Sequence, residues 1–219
     1  MEGKSLVIFG ATGLVGGWCL KKALETDFWD TVTAVGRKAV TEKPQDPRFR
    51  EHVVPFEHLD SIQDVLAASH VMSALGTTMK KAKTKEAFRE VDYGLAVQVA
   101  RLAAQNKARH FLLVSATSAN PRSLIYFNRV KGEAEQAVSG LGFASVSIFR
   151  PSLILGKRQD VRPAEDFAKS IAERVCFAIP KRYKPIEAKT IATAMVRAAQ
   201  KDAPGVHVYE SDAIAEMGA

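Results

Sequence analysis

Glycine recurs at every third position in Gly10-Ala11-Thr12-Gly13-Leu14-Val15-Gly16. A turn built this way can take a phosphate. Gly10 allows a tight bend, Gly13 lets the backbone come close to a pyrophosphate, and Gly16 lets a following helix lie against the strand. A helix starting here would aim free N–H groups and the positive end of its dipole at the phosphates. The alternative is a glycine-rich turn with no ligand. The flanks favour the first reading. Residues 6–9 are an apolar run of strand length, and Val15, Cys19 and Ala23 share one helical face, with Gly16, Leu20 and Leu24 beside them. Dinucleotide binding is the expectation.

The second strand bears on which dinucleotide. NAD-binding chains place Asp or Glu after it, to bond the ribose 2′-hydroxyl. Here the stretch is Val35-Gly36-Arg37-Lys38, with no acid. Arg37 can fork onto a 2′-phosphate and Lys38 adds charge. A basic surface turn is the bland alternative; with the glycine turn upstream, NADP is expected over NAD.

These residues need a scaffold, and the chain supplies an alternation. Strand patterns cover 6–9, 31–35, 52–56, 70–75, 110–115 and 144–149. Between them fall a short helix at 61–68, capped by Asp60 or Ser61, a long helix on the stripe Phe88, Val91, Leu95, Val99 and Leu102, and a helix over 124–139. Such alternation predicts an α/β fold: a doubly wound parallel sheet, with ligands at the carboxyl ends of its strands. After Arg150-Pro151 the alternation weakens, with helical patterns near 164–176 and 187–200 and a strand near 206–209. Residues 1–219 read as one domain, with 151–219 as a small C-terminal cap on the substrate side.

The totals narrow the classes. A length of 219 residues suits one domain with a sizeable core. No apolar run nears the roughly 20 residues of a membrane helix, and strand residues begin too early for a signal peptide. The two cysteines, Cys19 and Cys176, are far apart, which points to a reducing compartment and a cytoplasmic location. Neither they nor the scattered His52, His58, His70, His110 and His207 have metal spacing, so no metal is expected. The net charge of +7 fits a ligand with several phosphates. Lys80, Lys81, Lys83 and Lys85 form the densest basic cluster and read as a solvated loop; with no nucleic-acid-binding signature, nucleic acid is not an expected partner. Arg158 and Arg162 are placed where the cap should meet the pocket.

Gly10-Ala11-Thr12-Gly13, Gly36-Arg37-Lys38, Leu75-Gly76-Thr77-Thr78, Asn128-Arg129-Val130-Lys131-Gly132-Glu133 and Arg150-Pro151-Ser152 follow in order along the chain. Together they resemble the atypical short-chain dehydrogenases, in the NAD(P)-binding branch that includes the HIV Tat-interacting protein and its bacterial relatives. The resemblance implies a Rossmann fold and bound NADPH, with an unidentified small carbonyl or alcohol as substrate. By position it implies that Gly10 to Gly16 (Ala11, Thr12, Gly13, Leu14 and Val15 included) hold the pyrophosphate, and Arg37 and Lys38 the 2′-phosphate. Ala74, Leu75, Gly76 and Thr77 would line the adenosine and ribose, and Pro151, Ser152 and Leu153 the nicotinamide. The third strand departs from the family in reading Val54-Pro55-Phe56, without the usual acid.

In that family a Ser or Thr holds the substrate oxygen, a Tyr donates the proton, and a Lys four residues later lowers the phenol's pKa and bonds the nicotinamide ribose. Lys131 matches the Lys. Thr117 fits the hydroxyl position better than Ser115. Four residues before Lys131, however, stands Phe127, and Tyr126 is five before. At 100° per residue, positions four apart differ by about 40° and five apart by about 140°. Tyr126 reaches the Lys131 face only if the helix starts late or carries an i→i+5 bulge. Otherwise Tyr126 packs or meets solvent, and the chain is an NADPH-binding sensor with weakened chemistry.

Overall fold

The computed structural model describes residues 4–156 and 180–219. Strand β1 (Ser5–Phe9) leads through the glycine turn to α1 (Leu14–Leu24), β2 (Thr31–Gly36) and β3 (Phe49–Val53). A 3₁₀ turn (Phe56–Ile62) and α2 (Gln63–Leu66) precede β4 (His70–Ser73). Next come α3 (Met79–Ala82) and α4 (Lys85–Arg89), which runs through a π-helical turn (Glu90–Leu95) into α5 (Ala96–Gln105). Then follow β5 (His110–Val114), α6 (Tyr126–Ser139), β6 (Ser145–Arg150) and β7 (Ile154–Leu155). The last elements are β8 (Ile186–Glu187), α7 (Ala188–Lys201), β9 (Gly205–Glu210) and α8 (Ser211–Gly218).

Seven of these strands form one parallel sheet in the order β3-β2-β1-β4-β5-β6-β9. Neighbouring residues of a strand point to opposite faces, and both faces are apolar. Leu6, Ile8, Met72, Leu112 and Phe149 meet α1, α7 and α8 on one side. Val7, Phe9, Val71, Phe111 and Ile148 meet α2 and α5 on the other. This is the Rossmann-like doubly wound fold. The order reverses between β1 and β4, which opens a crevice beyond their carboxyl ends.

Three expectations need correction. The third strand covers Phe49–Val53, not 52–56: Pro55 has no N–H to give a ladder, and the chain turns at Phe56 into the 3₁₀ segment. The helix expected at 61–68 is that 3₁₀ turn plus the short α2; neither Asp60 nor Ser61 caps it, and the Ser61 hydroxyl donates to the His58 carbonyl. Finally, from Ala188 onward the chain belongs to the main layers. Strand β9 pairs along the whole of β6, and the apolar face of α7, with Ile191, Met195 and Ala199, packs near α1. Among the described residues of 151–219, the β7–β8 pair and the turn Lys181–Tyr183 stand apart from the main sheet and the helices packed on it. The helical pattern near 164–176, Cys176, Arg158 and Arg162 lie outside the described residues. No helix among the described residues is long and apolar enough to cross a membrane.

Candidate functional site

The glycine turn has the expected geometry. Gly10 has φ +85°, and the Gly13 N–H donates to the Gly10 carbonyl at 2.8 Å. A Cβ on Gly16 would stand 2.1 Å from that same carbonyl oxygen, so only glycine lets α1 approach the turn this closely. Gly13 is the N-cap of α1; no side chain bonds to the cap and the first turn holds no acid. No side chain among the described residues thus caps this helix end. Ala11, Thr12, Gly13 and Leu14, with Gly76 and Thr77 opposite, line a cleft of about 990 Å³. The cleft continues over Trp18 and Lys21 of α1 to the loop at 40–46.

Arg37 and Lys38 follow β2 at its carboxyl end, and both are exposed. They are not among the residues that line this cleft. The Arg37 guanidinium lies 5.3 Å from the centre of the Phe56 ring, which braces it while leaving its donors toward solvent. Just beyond, the Glu51 carboxylate accepts from the Val40 N–H at 2.7 Å and pairs with Lys43 at 2.7 Å, shaping the loop. The Lys43 bond holds the Glu51 carboxyl below its ordinary pKa.

At the other end of the crevice the expected trio divides. Ser115 directly follows β5, and its buried hydroxyl donates to the Glu135 carboxylate. Glu135 in turn accepts from Arg150 at 2.6 and 3.0 Å, and Arg150 reaches Glu210 at 2.9 Å. This network ties β5, α6, β6 and β9 together, and its carboxylates raise the Arg150 pKa. Ser115 is therefore committed to the scaffold. Thr117 is different. Its N–H is anchored on the Pro151 carbonyl at 3.0 Å, while its Oγ1 is buried with no hydrogen-bond partner among the described residues. Such an orphaned hydroxyl is costly unless a ligand completes it.

Helix α6 begins at Tyr126 as a regular α-helix, with neither a late start nor a bulge. The Tyr126 hydroxyl donates to the Lys85 carbonyl at 2.9 Å, and its ring meets Phe88 at 6.3 Å. Phe127 also packs on Phe88, at 5.3 Å between ring centres. The phenol is thus engaged away from the Lys131 face.

Lys131 itself is buried and pairs with Asp92 at 2.7 Å. Asp92 also accepts from the Thr77 N–H at 2.8 Å, and a Cβ on Gly76 would lie 3.3 Å from its Oδ1. So the loop after β4, the π-helical turn and α6 meet at one ion pair. Sequence reasoning missed Asp92. The signal was an acid four residues after Phe88 and four before Ala96, both of which are buried on the same helix stripe.

Ala74 follows β4, with its N–H on the Phe9 carbonyl at 3.0 Å; its own carbonyl faces Gly10, and Leu75 packs into the core. Pro151 is buried. The Ser152 hydroxyl donates to the Lys184 carbonyl and Ser211 donates to Ser152 at 3.1 Å, while Leu153 is exposed. Ser152 is thus held by the β7–β8 region.

Among the described residues, one cluster of His and Asp side chains, His70, His110 and Asp202, lies at the opposite end of the sheet. His70 accepts from the Trp29 indole at 3.2 Å through Nδ1, so its Nε2 carries the proton and donates to the Ala199 carbonyl at 3.1 Å. Neither nitrogen is left for a metal. His110 lies 3.2 Å from Asp202 and 3.0 Å from Ser147. Cys19 is buried beside Met195, and burial pushes its thiol up to about 12.

No protein-family profile matches the chain. Protein HTATIP2 of Rattus norvegicus is 32% identical over 221 residues, covering 100% of this chain and 90% of that protein. The mitochondrial protein fmp52 of Aspergillus clavatus is 33% identical over 173 residues (77% of this chain, 74% of that protein). FMP52 of Candida albicans, also mitochondrial by name, is 30% identical over 213 residues (92% and 90%). Among solved structures, MoeE5 in complex with UDP-glucose and NAD superposes with a TM-score of 0.72 at 15% identity, covering 94% of this chain and 75% of that one. The Bordetella bronchiseptica enzyme WbmH in complex with NAD⁺ does so at 0.72 and 16%, covering 95% and 76%. The fungal relatives are mitochondrial by name, which contradicts the expected cytoplasmic location. Two cysteines far apart in the sequence suggest a reducing compartment, not which one.

Proposed function

Because the chain belongs to the family of the HTATIP2 and FMP52 proteins, an atypical short-chain dehydrogenase branch, we propose that it is an NADP(H)-binding oxidoreductase acting on a small carbonyl or alcohol. The observation that carries the binding is the anion position at the uncapped, acid-free N-terminus of α1, closed behind by the Gly10–Gly16 contact. The glycine turn would hold the pyrophosphate, and Arg37 with Lys38 the 2′-phosphate. Ala74, Leu75, Gly76 and Thr77 would border the adenosine and ribose, and Pro151, Ser152 and Leu153 the nicotinamide. The NAD named in the neighbouring structures supports a nicotinamide dinucleotide, and the absence of an acid directly after β2 supports the added 2′-phosphate.

The bound cofactor would supply a hydride to a carbonyl carbon. Thr117, whose hydroxyl has no partner among the described residues, would hold the substrate oxygen. Lys131, aimed by Asp92, would bond the nicotinamide ribose. Proton donation is where the chain departs from its family, since the Tyr126 phenol is bonded to Lys85. That observation favours a second reading, an NADPH sensor with little turnover, because a missing general acid removes roughly 10²–10⁴-fold of rate. Calorimetric titration with NADPH and NADH, followed by NADPH oxidation against a panel of aldehydes and ketones, tests both. Binding with turnover supports the enzyme, binding without it the sensor, and no NADPH binding would defeat both.

A further inference from the structure

The lysine cluster Lys80, Lys81, Lys83 and Lys85 has no part in the site described above, yet one member borders it. Lys81 lines the same cleft as Thr12 and Gly13, on the wall that begins with Gly76, Thr77 and Thr78. Two other lysines line that cleft, and both are occupied. Lys43 pairs with Glu51 at 2.7 Å, and the Lys21 ammonium lies over the Trp18 ring at 5.2 Å. The exposed Lys81 side chain has no ion pair and no ring contact among the described residues. Its backbone, by contrast, is fastened. The Thr77 N–H donates to Asp92 at 2.8 Å, and the Lys81 N–H donates to the Thr78 carbonyl at 2.9 Å and to the Thr78 hydroxyl at 3.2 Å. Lys83, at φ +68°, then ends the short α3. The carboxylate that holds Lys131 thus also fixes the segment that carries Lys81, while the Lys81 ammonium has no counter-charge among the described residues.

Resting on the dinucleotide reading above, we propose that Lys81 clamps the cofactor pyrophosphate across the cleft from the N-terminus of α1. A pyrophosphate bridge carries two negative charges, and a helix end offers the equivalent of about half a positive one. The stretch Gly10–Gly17 contains no Lys or Arg, so the glycine turn brings no cation of its own. The balancing charge has to come from another element, and Lys81 is the unoccupied lysine of the cleft. A compact ammonium on a flexible stem suits this task, because it can meet either phosphate without a fixed fork geometry. One consequence separates Lys81 from Arg37. NADPH and NADH share the pyrophosphate, so Lys81 strengthens both alike, whereas Arg37 acts on the 2′-phosphate of NADPH alone.

The test is calorimetric titration of the full chain with NADPH, NADH and ADP, at low and high salt. Lys81→Gln should weaken all three by about fivefold at low salt, and by less at high salt. Lys81→Arg should keep most of the affinity. Lys80→Gln removes the neighbouring charge, which does not line the cleft, and should change nothing. Helix α3 has no buried residue, so the thermal midpoint should stay at the wild-type value in each variant. If the wild-type chain binds none of the three, the dinucleotide reading fails and this inference with it. If the wild type binds them and Lys81→Gln binds equally well, the role of Lys81 alone is overturned. A loss confined to NADPH would put Lys81 at the 2′-phosphate and overturn the pyrophosphate clamp. An equal loss in Lys80→Gln would also overturn it, since that would be general attraction by a basic surface.

Discussion

Lys131 of α6 and Asp92 of the π-helical turn hold their charged atoms 2.7 Å apart, both buried. The pair stands against Gly76, so the residue proposed to touch the cofactor ribose is aimed before any ligand arrives. π-Helical turns occur often at functional sites, and here one delivers the carboxylate.

Removing one partner would strand the other charge. Lys131→Met should cost on the order of 3–5 kcal/mol, read from urea unfolding. Asp92→Asn/Lys131→Met should recover much of it, because no buried charge then remains. That double variant, once folded, should still bind NADPH more weakly than wild type. Unchanged affinity would remove Lys131 from the cofactor site.

Arg37→Ala should weaken NADPH by roughly 1.5–3 kcal/mol, the worth of a charged hydrogen bond, and leave NADH nearly untouched. The guanidinium is braced by Phe56 and exposed, so the fold should not suffer. Calorimetry with both cofactors decides. Equal losses for the two would mean that Arg37 does not read the 2′-phosphate.

Phe127 lies four residues before Lys131 on a regular helix, so Phe127→Tyr should bring a hydroxyl toward the Lys131 face. We expect slow or absent carbonyl turnover in wild type and measurable NADPH oxidation in Phe127→Tyr. Tyr126→Phe should leave turnover unchanged and cost about 0.5–1.5 kcal/mol for the lost Lys85 bond. If Tyr126→Phe instead abolishes an existing activity, the phenol must leave Lys85 during catalysis and act as the acid.

Burial, with His70 beside it, pushes the His110 pKa down from 6.5 to about 4, against the pull of Asp202, while Arg109 and His207 push the same way as His70. The His70 pKa is lowered too, again chiefly by burial. Between those pH values the unfolded chain takes up a proton that the folded chain refuses. Stability should therefore be level above about pH 6.5 and fall as the pH drops toward 4, by on the order of 3 kcal/mol for His110. Thermal midpoints across this range should show the slope, and His110→Gln should flatten it. A slope that survives the substitution would assign the loss to other groups.

What the sequence determined by itself was local. Runs such as residues 6–9 and 111–114 are apolar at every position, which suits a strand buried on both faces, and the alternation with helices then left the parallel doubly wound sheet. The glycine spacing set the first turn, because close contact and positive φ exclude other residues there. The 100° step separates Tyr126 from the Lys131 face only in a regular helix, and the structure supplied that regularity. What only the tertiary structure decided depended on which distant segments become neighbours. Asp92 meets Lys131 across 39 residues and Ser115 meets Glu135 across 20; no periodicity encodes either partner. The same holds for β9, whose short pattern looked like part of a cap until its pairing with β6 made it the last strand of the sheet. Local propensity chooses the elements, but buried charges and strand edges are satisfied only by partners that the whole fold brings to them.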